Sequence, residues 1–343
     1  MRKFSLSVLV SSLLILSAVS CTPKSDNNDS LSLLLLGAVA SASANSSSED
    51  LSCQNKTLNW TIRTPAAANA WTSVFFGNSQ YVAASNGPDT SLVMTSPDGI
   101  TWTGRGAPIG GAWMSVTFGN GLYVTVSPSV GNRVMTSPDA ITWTQQTGIP
   151  NNWAGVTYGN GLFVSVASAG TNRVMTSPDG ITWTARTSGV IAGGPWQAIV
   201  YGSGQFVAVG TGAIMTSPDG INWTARTAPS ANMWDSVTYG NGQFVAVSYD
   251  GSNQVMTSPD GITWTSQSAT EGNQWVSVNY GNGLFVAISQ NGNNRIMTSA
   301  DGINWKAQLA PEQIGWKSIT FGKKTFVAVA YTGPSKVMTA SCE

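Results

Sequence analysis

The stretch VMTSPDGITWT, Val93 to Thr103, decides how the rest of the chain is read. Near-copies begin at Val134, Val174, Ile214, Val255, Ile296 and Val337. The last breaks off as Val337-Met338-Thr339-Ala340-Ser341-Cys342-Glu343, without the Ile-Thr-Trp-Thr ending. Each copy closes a longer unit: W-x-S-V-x-Y/F-G, then N-G, then L/Q-Y/F-V-A-V, then a variable loop. All fourteen tryptophans fall into two registers of this unit. The first is Trp60, Trp102, Trp143, Trp183, Trp223, Trp264 and Trp305, spaced 40 to 42 residues apart. The second is Trp71, Trp113, Trp153, Trp196, Trp234, Trp275 and Trp316.

β-Branched and aromatic runs punctuated by Gly, Asn, Pro and Asp are strand signals. The unit around Trp113 predicts four strands: Trp113 to Phe118, Leu122 to Ser127, Arg133 to Ser137 and Ile141 to Thr144. Four strands in about 40 residues is the period of a propeller blade. Runs such as Gln205 to Val209 have no polar face, as expected of sheets covered on both sides. The missing Ile-Thr-Trp-Thr has a counterpart at the other end of the chain, Leu58-Asn59-Trp60-Thr61. The expected fold is therefore all-β: a seven-bladed β-propeller of four-stranded blades, closed by the N-terminal strand pairing with the last blade.

The quoted stretch is the turn between third and fourth strands. Pro97 presets the first turn position, Asp98 can bond nearby backbone amides, and Gly99 accepts the left-handed conformation. The reading is a three-residue hairpin with a glycine bulge, with Trp102 packed beneath it. These residues resemble the Asp-box, or BNR, repeat of sialidase-type propellers, S-x-D-x-G-x-x-W. Here the glycine follows the aspartate directly, so the box is one residue short. The repeated aspartates are Asp98, Asp139, Asp179, Asp219, Asp260 and Asp301. Ala140 replaces the glycine in one copy and Ala300 the proline in another. The resemblance covers Asn59 to Glu343 and implies architecture rather than activity. Cys342 stands where the seventh aspartate would be. Cys53 lies just before the strand expected beside it. A Cys53–Cys342 disulfide is expected to pin the ring shut, as export permits.

Residues 1–20 read as a signal peptide: Met1-Arg2-Lys3, an apolar run from Leu6 to Val19, then small residues. Cys21 directly after them resembles the lipid-bearing cysteine of a bacterial lipobox, with Ala18 in place of the usual leucine. Residues 21–52, rich in Ser, Asn, Asp and Ala, read as a flexible tether. Its Leu31–Ala40 run, with Leu33 to Leu36 at its heart, is far below the roughly 20 residues a membrane helix needs. Such runs resemble those of spirochaete lipoproteins. Residues 53–343 are the propeller. The expected location is the bacterial envelope, lipid-anchored through Cys21, at the outer membrane.

The chain has no histidine, and its 16 basic and 16 acidic residues balance. That removes Ser-His-Asp chemistry, the commonest metal ligand and the net charge expected of a nucleic-acid binder. One carboxylate per turn is too few for a calcium site, so neither metal nor cofactor is expected. Sialidases of the resembled family use an arginine cluster, a tyrosine–glutamate pair and an aspartate. The glutamates of the ring, Glu271, Glu312 and Glu343, stand in no such motif, and no carboxylate pair for glycoside hydrolysis is evident.

The turns between strands three and four are nearly identical in every copy. The loops at the opposite end differ sharply, and loops on rigid scaffolds carry function. The candidate ligand face comprises those loops, the second tryptophan register (Trp71, Trp113, Trp153, Trp196, Trp234, Trp275 and Trp316), and Arg133, Arg173, Arg295 and Lys336. The tryptophans would ring the channel mouth and stack on sugars, or else wedge between blades as core. The expected function is that of a non-catalytic lipoprotein, monomeric in its domain, binding a protein, matrix component or glycan. A sialidase-like hydrolase and an envelope assembly factor are the alternatives.

Overall fold

The computed structural model describes residues 53–54, 56–87, 91–128, 134–187, 194–333 and 337–342. They form seven antiparallel sheets arranged as the blades of a β-propeller, numbered here one to seven in order of their innermost strands. Blade three shows the plan: Asn152–Gly159 innermost, then Leu162–Ala169, Val174–Ser177 and Thr184–Arg186. Second strands such as Gln205–Gly210 are buried almost throughout. Neighbouring blades cover both their faces, so alternation has nowhere to put a polar side.

The core is accordingly a set of layers between blades. Val124, Val126 and Val134 of blade two pack with Trp153, Phe163, Met175 and Trp183 of blade three. Two devices set the distance between blades. The innermost strands end in a glycine against an aromatic ring of the next blade: Gly119 faces Tyr158, Gly159 faces Tyr201, Gly240 faces Tyr280, and Gly322 faces Phe76 across the seam. A Cβ at any of these glycines would overlap the ring. Nearer the channel, serine hydroxyls accept amides from the following blade. Val116 N–H donates to Ser73 Oγ at 3.3 Å, Val278 to Ser236 at 3.1 Å, and Val74 to Ser318 at 3.0 Å across the seam. Two copies break this girdle, because Gly155 and Ala198 stand where the serine should be. Ala198→Ser should supply a partner for the Val237 amide. A gain of about 1 kcal/mol is expected from one such bond, read as a higher denaturant midpoint with unchanged slope.

Blade seven is built from both ends of the domain. Trp316–Gly322, Thr325–Ala330 and Val337–Ser341 are joined by Thr61–Arg63, which pairs with Val337–Ser341 in the register Thr61 to Thr339. The missing fourth strand is thus supplied from the N-terminal side, as the repeat count requires. Cys53 and Cys342 form a disulfide with Cα atoms 5.1 Å apart. Cys53 N–H also donates to Asn282 O at 2.8 Å, which ties the clasp to blade six. Trp60, having no turn of its own, donates to Gln308 Oε1 of blade six at 3.3 Å. On blade one, Tyr81 donates its hydroxyl to Gly322 O of blade seven, and Tyr123 of blade two donates back to Gly77 O at 2.7 Å.

One local expectation is corrected. The fourth strands begin after their tryptophan, as in Thr144–Gln146, and residues 138–143 form one long turn rather than a three-residue hairpin. The reason is the aspartate. Its Oδ1 takes the amides that a strand would have used in the ladder, and the indole folds back on the turn.

Candidate functional site: two unlike ends

The turn end is built from six similar knots. Asp98 Oδ1 accepts Ile100 N–H at 2.8 Å, Thr101 N–H at 2.9 Å and the Ser96 hydroxyl at 2.9 Å. Ser96 Oγ in turn accepts Gly99 N–H at 2.8 Å, and Trp102 Nε1 donates to Gly99 O at 2.9 Å. Gly99 sits at φ 77°, where glycine carries no penalty; Ala140 holds the same place at φ 59°. Asp139, Asp179, Asp260 and Asp301 repeat the carboxylate pattern. Asp219 and Asp301 each gain a further bond, from Asn222 and Asn304 Nδ2 at 2.8 Å.

These bonds hold the carboxyls below their ordinary range. At Asp139 the Thr142 and Ile141 amides are responsible. At Asp301 burial pushes upward, but the Asn304 and Ile303 amides with the Asn304 and Ser299 side chains outweigh it, and the value is about 2. A group depressed on folding contributes stability above its unfolded value of about 3.9, lost as pH falls through the folded one. The melting temperature should therefore fall between about pH 4 and pH 2. Asp301→Asn should flatten part of that fall; an unchanged acid limb would show that Asp301 does not contribute to it.

At the other end the structure decides between the two readings of the second tryptophan register. Trp71, Trp113, Trp153, Trp196, Trp234, Trp275 and Trp316 are 0–1% exposed. They wedge between blades. Several also donate their indole N–H to the carbonyl four residues earlier, as Trp71 to Ala67 O at 3.2 Å and Trp316 to Glu312 O at 3.2 Å. No indole face is left for a sugar.

The arginines have partners in the scaffold. Arg173 donates to Gly170 O at 2.9 Å and to Gly194 O at 2.6 Å, stapling its loop to the linker before blade four. Arg295 donates to Gly292 O at 3.1 Å, and burial pushes its pKa down. Arg63, Arg105, Arg186 and Arg226 donate from Nε to Thr339, Thr95, Thr176 and Thr216, clamping fourth strands to third. Each of these side chains therefore has a scaffold partner. Arg133, Lys336 and Cys21 lie outside the described residues.

Residues that pattern reading passed over shape this end. Asn69, Asn151, Asn232 and Asn273, each two positions before a buried tryptophan, reach into the loop between strands two and three of their own blade. Asn69 Nδ2 donates to Ser91 O at 2.7 Å, Asn151 to Asn172 O at 2.7 Å, Asn232 to Ser252 O at 3.1 Å, and Asn273 to Asn294 O at 2.8 Å. A glycine in each loop, such as Gly170 or Gly292, leaves room for the amide. The recurring N-x-W was the available signal. Glu271 belongs to one such knot: its carboxylate accepts the Asn294 side chain and holds a lowered pKa chiefly for that reason.

The channel itself encloses about 230 Å³. The residues following the buried tryptophans, including Thr72, Met114, Gln197, Asp235 and Lys317, line it. Across it Lys317 Nζ meets Asp235 Oδ2 at 3.3 Å, linking blades seven and five. Among the described residues no group of three or more His, Cys, Asp or Glu is placed to hold a metal.

Comparison with known proteins agrees with this architecture. A family model described as "DUF6242 beta propeller domain" matches residues 149–274. No match is found among curated proteins. Solved structures show the likeness in shape. Virginiamycin B lyase from Staphylococcus aureus, a catalytically inactive variant with quinupristin, superposes with a TM-score of 0.73 at 14% identity, covering 83% of this chain and 99% of its own. YCF48 from Cyanidioschyzon merolae gives 0.62 at 15% identity, covering 82% and 98%. A YCF48 bound to D1 peptide gives 0.63 at 14% identity, covering 82% and 96%. This chain is a seven-bladed β-propeller. At such identities the likeness shows the fold alone.

Proposed function

We propose that the protein is a non-catalytic envelope lipoprotein, acylated at Cys21, that binds a protein or glycan through the loop end of its propeller. The observation that carries this reading is the asparagine pins. In blades one, three, five and six, loops of different sequence are held on a shared backbone device, so this part of the face is varied in chemistry yet shaped before any ligand arrives. Preorganised loops lose less entropy on binding. The opposite end repeats a turn resembling the Asp box in blades one to six and offers nearly the same surface on each. A hydrolase reading gains little from Glu271, whose carboxyl is held low where a general acid needs to be held high.

The test is a binding screen of the domain from Leu51 onward on glycans, matrix proteins and native membrane extract. A ligand whose binding falls with Asn172→Ala or Tyr331→Ala, both exposed at the loop end, supports the reading. A ligand insensitive to these changes and to Asn273→Ala, which frees a loop, would overturn the assignment of the face. A second reading, an assembly factor for an envelope complex, is favoured by the YCF48 neighbour that was solved with a peptide. Retrieval of a multi-subunit complex from membrane extract, with no glycan binding, would select it.

A further inference from the structure

No lysine occurs between Lys56 and Lys306, an interval that carries seven of the eight arginines. The closed ring brings the two ends of that interval together. Lys56 and Lys306 line one cleft of about 360 Å³, with Gln54, Asn304 and Gln308. Lys56 Nζ donates to Cys342 O at 2.8 Å, and Cys342 N–H donates to Lys324 O at 3.4 Å. Lys323 Nζ reaches Pro97 O of blade one at 2.8 Å. Four exposed lysines therefore follow the seam from blade six to blade one at the turn end. Among the described residues none of them forms an ion pair. The carboxylates at the two ends of the arc, Asp301 and Asp98, are engaged by the amides of their own turns. Beside those aspartates Ile303 and Ile100 are each 46% exposed.

We propose that this seam docks the propeller on an anionic lipid surface. Clustered lysines beside exposed isoleucines match both layers of a membrane interface, headgroup charge and acyl boundary. A lipid surface is favoured over an acidic protein by where the chain enters. Residues before Cys53 contain the apolar runs Leu6–Val19 and Leu31–Ala40, with twelve residues between the second run and Cys53. Twelve residues span at most about 40 Å. The chain enters the domain at this seam, so a bilayer that takes up either run is tethered to the domain here. The six aspartates at the same end oppose a flat approach, so the propeller would lean on blades six, seven and one. The proposal does not require acylation of Cys21.

The test uses the full chain carrying Cys21→Ser, sedimented with vesicles of phosphatidylcholine alone or mixed with phosphatidylglycerol. Each lysine near an anionic surface contributes about fivefold in affinity. The combined variant Lys306→Gln, Lys323→Gln, Lys324→Gln should bind the mixed vesicles roughly 100-fold more weakly and leave binding to neutral vesicles, which reports the apolar runs, unchanged. A control with Arg105, Arg186 and Arg226 changed to Gln, the residue that Gln146 and Gln267 provide at that position, removes equal charge from the opposite end. It should bind as the parent does. Equal loss in both triple variants, or loss in neither, would overturn the proposal.

Discussion

Gly119→Ala is expected to be among the most damaging single substitutions in the domain. The new methyl group would lie inside the Tyr158 ring of the next blade. Neither side can yield cheaply, because Gly119 ends the innermost strand of blade two and Tyr158 belongs to the innermost strand of blade three. Separating the blades would also loosen the layer in which Val124, Trp153 and Phe163 pack. Overpacking of a well-filled core costs about 1–3 kcal/mol, and the upper end is expected here because a ring and a backbone are both fixed. A fall in melting temperature on the order of 5–10 °C should be seen. The clash is specific, so it can be checked by a cycle. Gly119→Ala combined with Tyr158→Ser should lose clearly less than the sum of the single variants. Additive losses would mean that the glycine serves its own strand rather than the blade interface.

Opening the ring should be as costly. The Cys53–Cys342 disulfide spans 289 residues and fastens the strand that completes blade seven. Cys53→Ser with Cys342→Ser is expected to cost about 2–5 kcal/mol, with the spread reflecting how much the reduced chain already holds together. Deleting Leu51 to Thr64 should cost more. It removes the clasp and the Thr61–Arg63 ladder, exposes an edge on Val337–Ser341, and uncovers Met338 in the layer with Trp316 and Phe326. Melting the parent with and without reductant, beside both variants, orders the three states. An unchanged midpoint in the deletion variant would refute closure by the N-terminal strand.

These two effects mark how far pattern reading carries. The blade count, the strand order and the partner of the truncated seventh copy were legible because each follows from period and composition. Trp60 had no other copy to complete, and Cys342 had no other cysteine within the ring to meet. The extent of the fourth strands was not legible. Ile141 and Thr142 look like strand residues, but the Asp139 carboxylate had already taken their amides. The candidate ligand face was legible only as a set of variable loops. A tryptophan at the start of an inner strand reads equally well as a channel-mouth platform or an interblade wedge, and only burial separates them. The arginines were legible only as charge: the carbonyl that a guanidinium meets in the fold is not visible in sequence.

The sequence by itself determined the number of blades, the turn chemistry that ends each one and the need for a borrowed strand. Each of these is a local property repeated until chance is excluded. The tertiary structure alone decided what lies across a blade boundary. It set Gly119 against Tyr158, joined Asp235 to Lys317 across the channel, pinned the variable loops on Asn151 and its equivalents, and gathered Lys56, Lys306, Lys323 and Lys324 along one seam. These residues are dozens to hundreds of positions apart. Their proximity is a consequence of ring closure, which no local window of the chain contains.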